Sequence, residues 1–403
     1  MDIVRNVDLK NANKLKVLNL IKDKSPISRA DIAVELNLSR STVSQIIEEL
    51  LDKGWIEELG YGESTERGGK RPILLQIKKQ AVYVIAVFFS STYSNIAITD
   101  LSGEILVSKK IRYTQVLDYQ THFSEILDII NELISEVKKE SSAIPIIGCG
   151  VVVRGLVDVD KKILLYSAIL NGWNNVPIGE YFKTRLNVPI FIENDIRSIT
   201  SYEYYEFKSE KPKVLMCINS ENGIALGVAI DGNVFYGSQY GVNATHAILD
   251  VNGPKCSCGN KGCWDTIASI DTMIAEVKKR KKLTQEISYE DILKMYDVKD
   301  PDVLEVLIHY TGYWMSVGVV NALNNYNPDK LILLGEIFET FKEVRDCVVS
   351  AISAMPNKIA KNVQVIIDGR KKNLLLSSSA NLVISKFYSN EHHEDIVNHY
   401  KFY

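Results

Sequence analysis

Cysteine is scarce in this chain. There are 6 in 403 residues, and three of them crowd between positions 256 and 263. So sparse and uneven a supply excludes a disulfide framework and fits a reducing compartment. Long apolar runs are missing too. No uninterrupted stretch approaches the roughly 20 residues that span a bilayer, and the opening MDIVRNVDLKNANKLK lacks the apolar segment of a secretory signal. The expectation is a cytoplasmic protein with no membrane partner. An excess of one charge is also lacking, since 47 Lys and Arg face 50 Asp and Glu for a net charge of −3. A global attraction to nucleic acid is thereby excluded, and any basic surface must be local. What is present is ordinary globular composition, 46% hydrophobic and 24% charged, in a chain long enough for two or three domains.

The densest chemistry runs from His246 to Ser269, HAILDVNGPKCSCGNKGCWDTIAS. His246, Cys256, Cys258 and Cys263 form one imidazole and three thiolates, a closed tetrahedral set for a structural zinc over the loop 246–263. Gly259 and Gly262 allow the tight turns that bring the sulfurs together. The competing explanation is three buried or reactive thiols beside an unrelated histidine.

Residues 1–80 carry a different pattern. Apolar positions from Asn13 to Lys22 predict a first helix. Ser28 with Asp31 forms a variant capping box, and Ile27 with Ile32 a hydrophobic staple. Eleven residues later Ser39 repeats as a cap, with Leu38 paired to Val43. Ile46, Ile47, Leu50 and Leu51 continue an apolar stripe, and Gly54 suits the residue just past the helix end. Two capped helices around Asn37-Leu38 predict a helix-turn-helix. The polar face of its second helix offers Ser39, Arg40, Ser41, Thr42, Ser44 and Gln45 to base edges and phosphates. Glu48 and Glu49 would repel phosphate, which confines contact to the first two turns. Residues 55–77 read as two strands around a Gly-rich tip bearing Arg67, Lys70 and Arg71, a wing placed for the minor groove or flanking phosphates. The alternative is a helical protein-interaction module with a solvated face.

From Ala81 onward strands and helices alternate. VYVIAVFF, SNIAITD and EILVSKKIRY predict three consecutive strands, with a helix from about Thr121 to Glu140 and a buried strand at IIGCGVVV. FIEN, a helix from Asp195, VLMCINS, GIALGVAID, NVFYG, LILLG, VQVIID and a final helix near Leu374 to Phe387 follow. The mixture predicts an α/β domain over residues 81–403 with ligand in a cleft at strand ends.

The motif H-x9-C-x-C-G-N-x-G-C-W-D-x-x-A-S from His246 to Ser269 resembles the zinc signature of the ROK family of repressors and sugar kinases. VVVRGLVD, the Asn171-Gly172-Trp173 triplet, Glu193-Asn194-Asp195 and GGKRP before the sheet domain support the resemblance, which covers essentially the whole chain. It implies an N-terminal winged helix-turn-helix followed by a two-lobed actin/hexokinase-like domain that binds a sugar and dimerises.

The same resemblance implies that Asn194, Asp195, Asn243, His246 and Asp265 face the sugar. Asn243 and Thr245 depart from the family's E-x-G-H, which points toward an oligosaccharide or altered sugar. Asp195 could instead cap the helix that follows it.

Three nucleotide elements depart as well. Phe88-Phe89-Ser90-Ser91-Thr92 stands where kinases have D-x-G-x-T. Glu221-Asn222-Gly223 opens the second phosphate loop, and Leu334-Gly335-Glu336-Ile337 replaces L-G-G-G. Phosphoryl transfer needs its positioning groups together, so no ATP chemistry is expected. The leading expectation is a sugar-responsive repressor, not an enzyme, bound as a homodimer or higher oligomer to a pseudo-palindromic operator in double-stranded DNA. A sugar kinase with a DNA-binding head and a zinc-sensing regulator are the alternatives.

Overall fold

Local rules place the first elements. The computed structural model describes residues 2–62, 71–140, 144–207, 210–221, 223–238, 241, 244–356, 362–367 and 373–389. Helix α1 (Asp2–Lys24) begins well before the expected Asn13, because nothing from Asp2 to Ala12 is a helix breaker even where the apolar stripe fades. Strand β1 (Ile27–Ser28) leads to α2 (Arg29–Glu35). The Ser28 side chain accepts from the Asp31 amide, and Asp31 accepts from the Ser28 amide, completing the expected box.

Asn37 takes φ of 51°, the Leu38 amide donates to the Ala33 carbonyl and the Asn37 amide to that of Val34. These two bonds are a Schellman ending. The second helix, α3 (Arg40–Asp52), repeats the arrangement, with Ser39 as cap and Gly54 (φ 67°) just past the end. There the Trp55 amide donates to Leu50 and that of Gly54 to Leu51. Its inward stripe, Val43, Ile46, Ile47 and Leu50, is buried, while Leu51 is half-buried. Strands β2 (Ile56–Tyr61) and β3 (Ile73–Ile77) pair antiparallel as the wing, with β1 on the far edge of β3. The wing tip, including Arg67 and Lys70, lies outside the described residues.

The chain divides into two compact units, Met1–Glu193 with Leu375–Tyr403, and Asn194–Leu374. Besides the winged head, the first unit holds β4 (Tyr83–Phe89), β5 (Tyr93–Thr99), β6 (Ile105–Arg112) and β7 (Ile146–Val153). A small sheet of β8 (Leu156–Asp158), β9 (Ile163–Tyr166) and β10 (Asn174–Val176) precedes β11 (Ile190–Asn194). The main sheet runs β11-β7-β4-β5-β6, with β4 parallel to β7 and antiparallel to β5. Helices α4 (Tyr119–Glu140) and α5 (Ile178–Leu186) contribute Phe123, Ile126, Ile130 and Phe182 to its core.

The second unit opens on α6 (Asp195–Glu206) and continues through β12 (Val214–Asn219), β13 (Ala225–Ile230), β14 (Asn233–Val234), β15 (Lys330–Leu334) and β16 (Gln364–Ile367). Its sheet order, β14-β13-β12-β15-β16, repeats that of the first unit: an antiparallel meander of three strands, then two added on the other side. One helix among the described residues, Pro301–Tyr326, is by length and composition apolar enough to cross a membrane. Asp302, Glu305 and His309 interrupt its apolar residues. Half of its apolar window is buried, with Leu307, Met315, Val319 and Leu323 in the second unit's core.

Candidate nucleic-acid interface, ligand site and metal centre

The cap of α3 is also the start of its expected DNA face. Ser39 Oγ accepts from the Thr42 amide at 3.1 Å and lies 2.8 Å from both Ser41 Oγ and Thr42 Oγ1. Ser39, Arg40, Ser41 and Gln45 are exposed, and Thr42 and Ser44 are half-buried. Arg71, at the foot of β3, is exposed. Glu48 is exposed, while Glu49 is drawn back to Lys14 of α1 at 2.7 Å. The outward face of the first turns is thus cationic and hydroxylated, and the acids lie farther along the helix.

In the metal loop, two isolated bridges, Ile248 with Cys263 and Lys255 with Lys261, fold the chain back on itself. The Cys256 amide donates to Asn260, that of Gly259 to Cys256 and that of Gly262 to Pro254. Gly262 is obligatory on two counts. Its φ is 68°, and a Cβ there would sit 1.6 Å from the Asp250 carbonyl oxygen.

The result brings His246, Cys256, Cys258 and Cys263 together, with one donor atom of each within 4.8 Å of all the others. Cys256 Sγ is 3.5 Å from His246 Nδ1, and Cys258 Sγ is 3.6 Å from Cys263 Sγ. The sulfur separation is far beyond a disulfide bond of about 2.05 Å. It matches the edge of roughly 3.8 Å expected for a tetrahedron with zinc–sulfur bonds of about 2.3 Å. The thiols also divide in acidity. Burial acts to raise Cys256, but hydrogen bonds from Thr266, the Cys258 amide and the neighbouring thiols outweigh it and bring it down to about 6. Burial, with the hydrogen bonds to Cys258 and Cys256, pushes Cys263 up to about 12. Crowded thiols of this kind cannot all ionise without a cation among them, and the four donors fit zinc.

The carbohydrate-side residues occupy less expected positions. Asn194, not Asp195, is the cap of α6: its Oδ1 accepts from the amides of Ile196 at 3.1 Å and Arg197 at 3.4 Å. Asp195 is the first helical residue and is half-buried. His246 is half-buried at the edge of the metal cluster, and Asn243 lies outside the described residues. Asp265 faces the second phosphate loop, where its Oδ1 accepts from the Ile224 amide at 2.7 Å. The bend at Gly223 (φ 93°) makes room for that carboxylate, since a Cβ there would be 2.6 Å from Asp265 Oδ1. Sequence spacing gave no sign of this strap between the metal loop and the strand β13.

The three altered nucleotide elements are all engaged in holding the fold. Phe88 is fully buried, 5.4 Å from the Tyr93 ring and 5.9 Å from the Arg154 guanidinium. Phe89 belongs to an aromatic cluster with His122, Phe123 and Trp173. Trp173 of the Asn-Gly-Trp triplet is therefore a core residue, its Nε1 donating to the Leu117 carbonyl. At the third element, the Gly335 amide donates to Glu339 Oε1 at 3.2 Å, so a carboxylate lies where a phosphate would need a free donor. Ser220 donates to the Leu334 carbonyl through both its amide and its hydroxyl, which fastens the two loops together.

A sequence model of the ROK family matches residues 84–374, and one of winged helix-turn-helix DNA-binding domains matches residues 10–57. The chain is 28% identical over 389 residues to a xylose repressor of Bacillus subtilis (strain 168), covering 96% of this chain and 98% of that protein. It is also 28% identical over 364 residues to the DNA-binding transcriptional dual regulator NagC of Escherichia coli (strain K12), covering 88% of each. Among solved structures, a ROK family transcriptional regulator described as a homolog of the E. coli MLC protein superposes with a TM-score of 0.81 at 23% identity. That match covers 97% of this chain and 100% of the other.

Proposed function

The chain belongs to the ROK family, and from that premise we propose that it is a transcriptional repressor that releases its operator when a sugar or oligosaccharide binds. Residues 1–80 bind DNA, and residues 81–403 bind the ligand and dimerise. The observation that carries this reading is the union, in one chain, of an exposed polar recognition helix and phosphate elements committed to internal contacts. The relative named a xylose repressor, matched over 96% of this chain, and the dual regulator NagC, matched over 88%, support a role in transcription.

A single helix-turn-helix covers little DNA, so a symmetric dimer on a pseudo-palindromic operator supplies register and affinity. Ser39, Arg40, Ser41, Thr42, Ser44 and Gln45, with Arg67, Lys70 and Arg71 of the wing, contact the duplex. Asn194, Asp195, Asn243, His246 and Asp265 surround the sugar. Zinc, held by His246 and the three cysteines, would clamp the loop that carries His246 and Asp265 and takes no part in chemistry. The protein is a cytoplasmic regulator and not an enzyme, because Phe88 is buried and the loop amides of Ile224 and Gly335 are engaged by the carboxylates of Asp265 and Glu339.

The decisive experiment selects a duplex with the purified chain from a randomised library, then screens its release against mono- and oligosaccharides. Release by one sugar, without ATP hydrolysis, is the expected result. Sugar-dependent ATP turnover would favour the kinase reading instead.

A further inference from the structure

The metal loop leaves one of its sulfurs open to solvent. Cys256 and Cys263 are buried, whereas Cys258 is exposed, as are Ser257, Gly259 and Asn260 around it. The turn at Gly259 (φ 98°) has open space on its outer side, since a Cβ there would meet nothing within 4 Å. Lys255 and Lys261, both exposed, stand opposite each other across the antiparallel bridge that closes this turn. Neither has a carboxylate within ion-pair distance among the described residues. Like charges directly opposite destabilise a bridge. Three thiolates around a divalent ion leave one negative charge over, which offsets the pair. An exposed sulfur in electropositive surroundings is the setting of a reactive cysteine, whereas buried thiols are inert.

The cluster also gives that sulfur a partner. Cys258 Sγ is 3.6 Å from Cys263 Sγ, while Cys256 Sγ lies against His246 Nδ1 at 3.5 Å. Closing the first of these edges to a disulfide length of about 2.05 Å would remove two donors. His246 and Cys256 alone are too few for a four-coordinate site. In this loop a disulfide and a bound metal therefore exclude each other.

We propose that Cys258 is an oxidation site, at which a hydroperoxide converts the metal loop into a Cys258–Cys263 disulfide and empties it of zinc. The proposal rests on the zinc reading above. With hydrogen peroxide, the Cys258 thiolate attacks one oxygen, the O–O bond breaks, and a sulfenic acid and hydroxide result. The Cys263 sulfur then attacks the Cys258 sulfur, forming the S–S bond and expelling a second hydroxide. Each hydroxide takes a proton from solvent. The two sulfurs lose two electrons between them, and the peroxide ends as two waters. The effect passes beyond the loop, because the Cys263 carbonyl accepts from the amides of Thr266 and Ile267 in the helix Trp264–Ile267. Asp265 of that helix holds the Ile224 amide, so drawing Cys263 toward Cys258 loosens the strap to β13.

The test treats the full-length, zinc-loaded chain with hydrogen peroxide. A chromogenic chelator follows released zinc, and alkylation with fragment-ion mass spectrometry reports the state of each cysteine. Half-buried Cys347, outside the loop, is the internal reference. Cys258 is expected to react about tenfold or more faster than Cys347, with about one zinc released per Cys258–Cys263 disulfide. Amide exchange at Ile224 rises in step, and dithiothreitol with added zinc reverses all three changes. In Cys258→His, which keeps a nitrogen donor at that position, peroxide-driven release slows about tenfold. Oxidation of Cys347 while Cys258 stays unmodified would overturn the site, as would unslowed release from Cys258→His. A disulfide through Cys256 would overturn the role of Cys263. Should Cys258→His fail to hold zinc, the wild-type modification order decides. If the purified wild-type chain holds no zinc, the metal reading fails on its own, and the modification order still decides whether Cys258 is the oxidation site.

Discussion

Arg40 is the first helical residue after the Ser39 cap, exposed, at the positive end of the helix dipole. A cation there costs the fold roughly 0.3–1 kcal/mol, a cost that a phosphate of the proposed duplex would offset. Arg40→Ala is expected to weaken binding to the selected duplex about tenfold and to lower the salt slope by about one, while the protein melts no earlier than wild type. Unaltered affinity at low salt would remove Arg40 from the interface. His122 shows the opposite economy, a titratable group in the core. It is 2% exposed, packed against Phe89, Tyr113 and Trp173, with Nε2 3.0 Å from Ser94 Oγ. Tyr113 donates to Ser94, which leaves the Ser94 hydrogen for a neutral imidazole. Burial lowers His122 to about 4. Its unfolded value near 6.5 lies above that, so the unfolded chain takes up the proton first. Stability is complete above about pH 6.5 and falls as pH drops toward 4, by on the order of 3 kcal/mol at most. Asp118, Asp158 and Asp291 are held low chiefly by the amides of Thr121, Lys161 and Ser288, and Asp300 by Lys281. Their contribution is present above about pH 4 and is lost only below it. Urea midpoints between pH 7 and 4, with zinc in excess, should therefore show a shallower slope in His122→Gln; equal slopes would place the titration elsewhere.

Among the elements, the metal loop has the widest reach. Trp264, next to Cys263, is fully buried against Gly318, where a Cβ would come within 2.0 Å of the indole, and Asp265 straps the Ile224 amide. Chelation is thus expected to loosen more than the loop, raising amide exchange into β13, while residues 40–52 keep their protection. One equivalent of zinc per chain should accompany the folded state, and Gly262→Ala should abolish that stoichiometry through its clash with Asp250. Full thermal stability in the presence of a chelator would exclude a structural metal. This loop is legible in the sequence because its donors fall within one short segment, as are the caps at Ser28 and Ser39 and the turn residue Gly54. Cap and turn rules act over three or four residues, and alternation in a strand acts over two. What cannot be read depends on distant partners. Nothing near Trp55 announces the Phe387 ring that meets it edge-on, and nothing in β7 says that Gly148 and Gly150 make way for Val383 and Ser379. Asn194 and Asp195 stand out as a pair, but which of the two caps α6 turns on backbone geometry alone. The upstream half of α1 escapes for another reason: helix can persist where amphipathic pattern fades.

For the molecule as a whole, the two five-stranded sheets repeat one order, a two-lobed α/β plan within the part of the chain matched to the ROK family. The plan does not choose between catalysis and sensing; the occupants of its loops do. Here Phe88 fills core, Glu339 accepts the Gly335 amide, and Asp265 accepts the Ile224 amide, so these two loop amides are already used. On the proposed repressor reading, a bound ligand shifts the protein only by preferring one of its states. Asp195, proposed to face the sugar, is where this reading is tested most directly. As the first residue of α6 it adds a favourable charge to the helix start worth about 0.3–1 kcal/mol, while the cap itself belongs to Asn194. Asp195→Ala should therefore fold, bind the selected duplex as wild type does, and fail to release it at sugar concentrations that empty the wild-type operator. Sugar binding followed by calorimetry should fall about tenfold or more, the loss of a charged hydrogen bond of roughly 1.5–3 kcal/mol. Two failures are separable. Weak duplex binding by the variant would make Asp195 part of the architecture that sets DNA affinity, and wild-type release would put the sugar elsewhere in the chain.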